Sequence, residues 1–344
     1  MKFPSARGPV SASLLDVLRG PADQGYEQTH SLRKAATQGV AATESLISDE
    51  DLQLALFCLY ELHYGGLDGA DERWEWNLGL LAVRQGIEAR FEQELRAAVE
   101  LPDLDAVSSD EVASVLFGLA AVDSGPSMSR YVAKEASLEQ LREFLVHKAI
   151  YQLKEADPHT WAIPRLNGRP KAAMVEIQAD EYGGGRPDRM HSALFARTMR
   201  GLALDDTYGA YVDAVPALTL ASTNMMSMFG LNRRLRGAIV GHLAIYEMTS
   251  AQPNKFYGNG FRRHGFSSDV TWYFDEHVEA DAVHEQIAGR DLAGGLVESE
   301  PALLADVYFG AMAALAVDAQ LSARTMAAWK AGDSSLRAPL PVNA

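Results

Sequence analysis

Apolar residues recur every three or four positions over long stretches of this chain, and nowhere do β-branched residues alternate far enough to demand a sheet. From Trp74 to Val99, the residues Leu78, Leu80, Leu81, Val83, Ile87, Phe91 and Leu95 mark one helical stripe. Ser48-Asp-Glu-Asp reads as a cap ahead of an apolar helix that Gly65-Gly66 stops. Ser108-Ser-Asp-Glu opens a helix to about Leu119, and Ser137-Leu-Glu-Gln opens another to about Glu155. Further helices are expected over 171–201, 215–229, 231–251, 268–290 and 300–330. The first of these is expected to continue past Gly183-Gly184-Gly185 and Pro187, where the cost of three glycines and a proline points to a distortion, such as a π-bulge, or to a close approach of the backbone. The fold class is all-α. The expected organisation is an N-terminal arm over 1–45 with one short helix near 11–19, a helical extension over 46–130, a helical core over 131–331 and a polar tail over 332–344, with a break near Asp123-Ser-Gly-Pro.

Charge and cysteine usage narrow the partners. The chain carries 46 acidic and 31 basic side chains, a net charge of −15, so it lacks the basic footprint that displaces counterions from nucleic acid or holds a protein on an anionic membrane. Its most apolar stretch, Leu54 to Tyr60, is too short to span a bilayer, and the start, with Pro4 and Pro9, does not read as a secretory signal. A cytoplasmic location is expected. The single cysteine, Cys58, excludes an intrachain disulfide and thiolate metal clusters, so any metal must be held by His, Asp or Glu.

Three segments concentrate such residues. In YFDEHVEADAVHE, His277, Asp281 and His284 stand at i, i+4 and i+7 and so project within an arc of about 60° on one helix. The other reading is a solvated acidic face with incidental histidines. In EIQADEYGGGRPDRMH, helical geometry lets Glu181, Asp188 and His191 converge; alternatively GGGRPD is a loop between two helices and the acids lie at the surface. Glu155, in HKAIYQLKEADPH, ends an amphipathic helix and by itself reads as an exposed acid beside Lys154. Together these give carboxylates and imidazoles on three helices, the donor count of a two-iron site inside a helical bundle, but without the paired Glu-x-x-His of ferritin-like proteins.

The order of these motifs, one acid, then an acid and a His, then His-x3-Asp-x2-His, resembles the haem-oxygenase-like diiron oxidases, the iron-containing redox enzymes, over roughly 140–330. The resemblance implies a haem-oxygenase-like seven-helix bundle in which two irons replace haem, preceded by an N-terminal helical extension. It implies that Glu155, Glu181, His191, His277, Asp281 and His284 are the iron ligands, with Glu181 bridging, and that Asp188 stands where N-oxygenating members supply an extra carboxylate. The implied activity is oxidation of a small organic substrate by O2: N-oxygenation, C–H oxidation or oxidative C–C cleavage of an amino acid or fatty acid. Members similar in this way include an N-oxygenase of nitrosourea biosynthesis, an alkene-forming fatty-acid decarboxylase and amino-acid-cleaving oxidases. The expected cofactors are two iron ions, with O2 as co-substrate and a separate electron donor. Tyr182, Tyr273 and Glu285 are candidates to orient the imidazoles.

Competing readings are a haem-binding protein of the same fold using His147 as axial ligand, a non-catalytic iron-binding helical protein, and a hydrolase with Cys58 as nucleophile. The extension before residue 135 offers a surface for a homodimer. Asn232-Arg-Arg-Leu-Arg and Phe261-Arg-Arg-His are basic clusters that suit either a substrate carboxylate or surface ion pairs, and Met225-Met226-Ser-Met228-Phe229 reads as core or as the wall of an apolar chamber.

Overall fold

The computed structural model describes residues 1–22, 29–122 and 127–340, and within them the side chains of 279–282 lie outside the description. The described residues are helical or irregular and contain no strand, which agrees with the all-α reading. Two compact units, each drawn from non-contiguous stretches, make up the chain. The expected break at Asp123-Ser-Gly-Pro falls outside the described residues.

The first unit comprises Met1–Ala98, Tyr208–Met225 and Leu336–Ala344. It holds α1 (Pro9–Leu18), α2 (His30–Ala42), α3 (Glu50–Glu61) and α4 (Leu78–Ala97). Asp49 caps α3 by accepting from the amides of Asp51 and Leu52, one residue after the serine that the sequence suggests. From Leu52 to Glu61 α3 is buried on every side, the mark of a central helix. Cys58 sits within it, fully buried, and burial pushes its thiol up, which is the state of an inert core cysteine rather than a nucleophile. The segment expected as a loose arm contains α2 as a regular helix. Leu32 and Ala36 are buried, and Gly39 lets α2 approach Val10 of α1 closely. That narrow small-residue stripe is sparse enough to pass for an arm in the sequence.

The second unit comprises Val99–Thr207 and Met226–Ser335. Its helices are α5 (Ser109–Ala120), α6 (Met128–Lys134), α7 (Leu138–Gln152), the single turn α8 (Asp157–Thr160), α9 (Gly168–Glu181) and α10 (His191–Gly201). They continue, after α11 (Ala217–Leu231), with α12 (Arg236–Arg263), α13 (Ser268–Gln286), α14 (Gly295–Ser299) and α15 (Leu304–Ala331). Capping boxes start α5, with Ser108 and Glu111, and α7, with Ser137 and Gln140, where the sequence places them. The long helices α12 and α15 cross at two glycines. A Cβ on Gly241 would fall on the carbonyl of Val307, and one on Gly310 on the carbonyl of Ala238. α12 also packs along α13, and α13 against α10, so α12 and α10 flank the helix carrying the His-x3-Asp-x2-His motif. α15 lies in a segment, 301–331, long and apolar enough to cross a membrane, but more than half of its apolar window is buried inside the protein. Met225, Met226, Met228 and Phe229 are all buried core residues.

Residues 171–201 are not one helix. α9 ends at Glu181, two short 3₁₀ turns follow (Gly183–Gly185 and Pro187–Arg189), and α10 begins at His191. Gly183, Gly184 and Gly185 all take positive φ, which only glycine adopts without strain. The expected π-distortion occurs elsewhere. A π-helix over Ile287–Gly294 continues directly from α13, and a Cβ on its Gly289 or Gly294 would meet Met248 or Ser109.

Candidate metal centre

The centre is assembled where four segments of the second unit meet. Glu155 lies in the turn after α7, immediately before Ala156, whose φ of +77 is left-handed. Glu181 is the last residue of α9 and His191 the first of α10. Gly183 makes this pairing possible. A Cβ there would stand 2.6 Å from the backbone of Arg189 and Met190, so glycine alone lets the chain fold back on itself. The result is His191 Nδ1 at 2.9 Å from Glu181 Oε2, ten residues apart in sequence. His277 and His284 come from α13, and Glu247 from α12.

Ligand atoms from Glu155, Glu181, His191 and His277 all lie within 4.8 Å of one another. Atoms from Glu181, Glu247 and His284 form a second such group. Glu181 belongs to both. All of these side chains are at most 9% exposed. Glu155 Oε2, Glu181 Oε2 and His191 Nδ1 have no hydrogen-bond partner, although the last two face each other. Buried polar atoms converging without hydrogen bonds fit a cation between them.

Neighbouring groups orient the donors. His277 Nδ1 donates to the carbonyl of Tyr273 at 2.7 Å, which turns Nε2 toward Glu155 Oε1 at 3.6 Å. The Tyr273 hydroxyl donates to Glu155 Oε1 at 2.8 Å. On the other side His284 Nε2 pairs with Asp180 at 3.0 Å, and Nδ1 faces Glu247 Oε2 at 3.4 Å. His277 and His284 thus each give one nitrogen to an orienting acceptor and present the other to the cluster, as metal-binding histidines do. Phe195 packs edge-on to Tyr273, its ring centre 5.1 Å away, and walls that side.

The electrostatics describe a site short of positive charge. Burial alone would raise the Glu181 carboxyl, but His191, His277 and His284 together hold it well below its ordinary value. Burial pushes Glu247 up, and the nearby Glu181 carboxylate adds to this against the pull of His284. Burial presses on His284 too, yet Glu247, Asp180 and Glu181 outweigh it and raise its pKa to about 9. The raised His284 imidazole supplies part of the positive charge that these buried carboxylates require, and a cation held between them would take its place. The donor set, nitrogen and carboxylate oxygen without sulfur, suits iron, manganese or zinc.

Residues 142–319 match the model of the iron-containing redox enzymes. The chain belongs to that family. It is also similar to a nitrosourea synthase of Streptomyces achromogenes subsp. streptozoticus, at 30% identity over 159 residues. That match covers 46% of this chain and 34% of the relative, so the chain spans about a third of the length of the curated relative it matches. The family is one of iron-dependent redox enzymes, and the N/O cluster lies inside the matched region.

Of the residues expected from the sequence, Glu155, Glu181, His191, His277 and His284 come together. Asp281 lies on α13, but its side chain is outside the described residues. Asp188 does not join them. It is exposed in the 3₁₀ turn Pro187–Arg189, because the chain leaves the helix at the glycines and the helical register that aligned it with Glu181 is lost. The structure instead brings Glu247, which the sequence reading missed, beside Glu181 and His284. Its signal was present: from Ala238 to Met248 it is the only acid in a largely apolar run, and a buried acid is costly unless it has a partner. Asp180 was missed likewise. Among the other expected orienting groups, Tyr273 meets His277 through its main-chain carbonyl and gives its hydroxyl to Glu155, and the Tyr182 hydroxyl bonds Thr160 and Asp157. Glu285 receives a hydrogen bond from the Gln286 amide and is not in either group. His147 is buried with Nε2 on Ser335 Oγ at 3.0 Å, outside both ligand groups.

Proposed function

We propose that this protein is a non-haem diiron oxygenase that uses O2 to oxidise a small organic substrate. The observation that carries the reading is the pair of overlapping ligand groups sharing Glu181, which is the arrangement a carboxylate-bridged pair of ions needs. Glu155, His191 and His277 would hold one iron and Glu247 and His284 the other, with Glu181 between them and Asp281 as a further ligand from α13. The chemistry supplied by such a pair is delivery of two electrons to O2, one from each ferrous ion.

The chain's own residues do the rest. Near-complete burial of the ligands excludes water from the reacting centre. Tyr273 keeps its proton, because burial and then Glu155 push its pKa well up, so the hydroxyl remains a donor that fixes the orientation of Glu155. Asp180 and the Tyr273 carbonyl fix the tautomers of His284 and His277. Among the reactions open to such a site we favour N-oxygenation, because a nitrosourea synthase is among the similar proteins. The substrate would be an amino acid or related small molecule, and a separate reductant would return the irons to the ferrous state.

The test is anaerobic reconstitution with ferrous iron, an iron count, then exposure to O2 with candidate amino acids and fatty acids followed by mass spectrometry. Two irons per chain and a substrate mass increase by oxygen on nitrogen support the reading. Fewer than two irons, or tight haem binding in their place, overturns it.

A further inference from the structure

The basic run Asn232-Arg-Arg-Leu-Arg takes no part in the metal centre, and the structure gives it a different setting. In the second unit a cleft of about 650 Å³ opens where α9 and α12 begin and α14 ends. Four arginines line it: Arg165, Arg169, Arg233 and Arg236. Two are neutralised, Arg169 by Glu298 at 2.5 Å and Arg236 by Glu300. The other two are not. Arg165 spends its guanidinium on the main-chain carbonyls of Gly230 and Leu231 at the end of α11, and no carboxylate pairs with Arg165 or Arg233 among the described residues. The Arg165 guanidinium pKa is lowered first by burial and then by the charge of Arg233, so the two cations feel each other across the cleft.

Two guanidiniums that line one cleft without a carboxylate partner are unusual in a chain of net charge −15. Their surroundings add positive potential. The 14-residue helix α9 starts at the cleft with no side chain capping its N-terminus. Gly295 leaves room for Arg169, whose Nε would be 2.8 Å from a Cβ at that position, so the guanidinium is seated by packing as well as by charge. Glu181 lies 13 residues along α9 from Gly168, roughly 20 Å at the helical rise, so the cleft is separate from the metal centre.

We propose that this cleft binds the phosphate group of a phosphorylated small molecule. The Arg233 guanidinium, without a carboxylate partner, offers a fork to phosphate oxygens, and Arg165, whose N–H groups are taken by main-chain carbonyls, adds a second uncompensated charge; together they match a phosphate dianion, whereas a single carboxylate would neutralise only one of them. The volume exceeds that of a phosphate and leaves space for the organic part of the ligand. This site does not depend on the proposed oxygenase activity.

Isothermal titration of the full-length protein with pyrophosphate, inorganic phosphate and succinate at fixed ionic strength tests it, with Arg233→Ala and Arg233→Glu as variants. Arg233 is exposed, so both variants should melt like the parent and keep their iron. The expected result is one saturable site per chain for both phosphate probes, weakened about tenfold or more by Arg233→Ala and lost in Arg233→Glu. No saturable phosphate binding, equal binding by Arg233→Glu, or succinate binding as tight as pyrophosphate would overturn the assignment.

Discussion

Glu247 and Asp188 compete for one role, and a pair of substitutions decides between them. Glu247 is one of three side chains in its ligand group, and one of the other two, Glu181, is shared with the neighbouring group. Changing Glu247 to Gln keeps its shape but removes the charge, leaving His284 and a shared carboxylate for that ion. Loss of an orienting neighbour alone typically weakens a metal site by about 10- to 100-fold, so loss of a direct ligand should cost at least about 100-fold, or about 3 kcal/mol. Without metal the substitution also takes away the carboxylate partner of the His284 imidazole, so iron-free Glu247→Gln should melt at or below the parent temperature, and the stabilisation on adding ferrous iron should shrink as well. Iron counted after anaerobic loading and desalting should fall from two per chain to one, and Asp188→Ala should keep both. If Glu247→Gln retained two irons with parental affinity while Asp188→Ala lost one, the helical register of the sequence would be right and the assignment of Glu247 wrong.

Three further outcomes are expected. Gly310→Ala drives a methyl into the carbonyl of Ala238 at the crossing of α12 and α15 and should cost about 3 kcal/mol or more, read as a drop in denaturant midpoint; parental stability would mean the helices do not cross at this glycine. Ala156→Gly places glycine where φ is +77 and should stabilise the protein by about 1 kcal/mol with iron loading unchanged, so a lower melting temperature counts against a left-handed Ala156. Burial holds His147 down to about 4, below the ordinary 6.5, so its contribution is fully present above pH 6.5 and is lost as pH falls through 4. Across that window it amounts to about 3 kcal/mol. Denaturation of the iron-free protein at pH 7 and pH 4.5 should show this loss, and a His147→Gln variant with the same pH slope as the parent would rule out His147 as a contributor to it.

The parts of the site legible in the sequence were those whose geometry is local. His277 and His284 belong to one stripe because seven residues nearly complete two helical turns, and no tertiary information is needed to see it. Glu247 was not legible in that way. A lone acid among Ile, Val, Leu and Ala acquires a purpose only when α12 lies against α13 and brings it to His284, a long-range docking that no spacing near the acid encodes. The glycine run at 183–185 shows the same limit from the other side. Its expense inside a helical pattern rightly marks a distortion, but backbone freedom serves equally to bend a helix or to end one. What separates the two outcomes is the partner each glycine meets. At Gly289 the partner is the side chain of Met248, and the helix widens but continues. At Gly183 it is the backbone of Arg189 and Met190, which lie only a few residues on; the chain must turn back to reach it, and that turn, not a helical face, is what sets His191 beside Glu181 and leaves Asp188 in solvent.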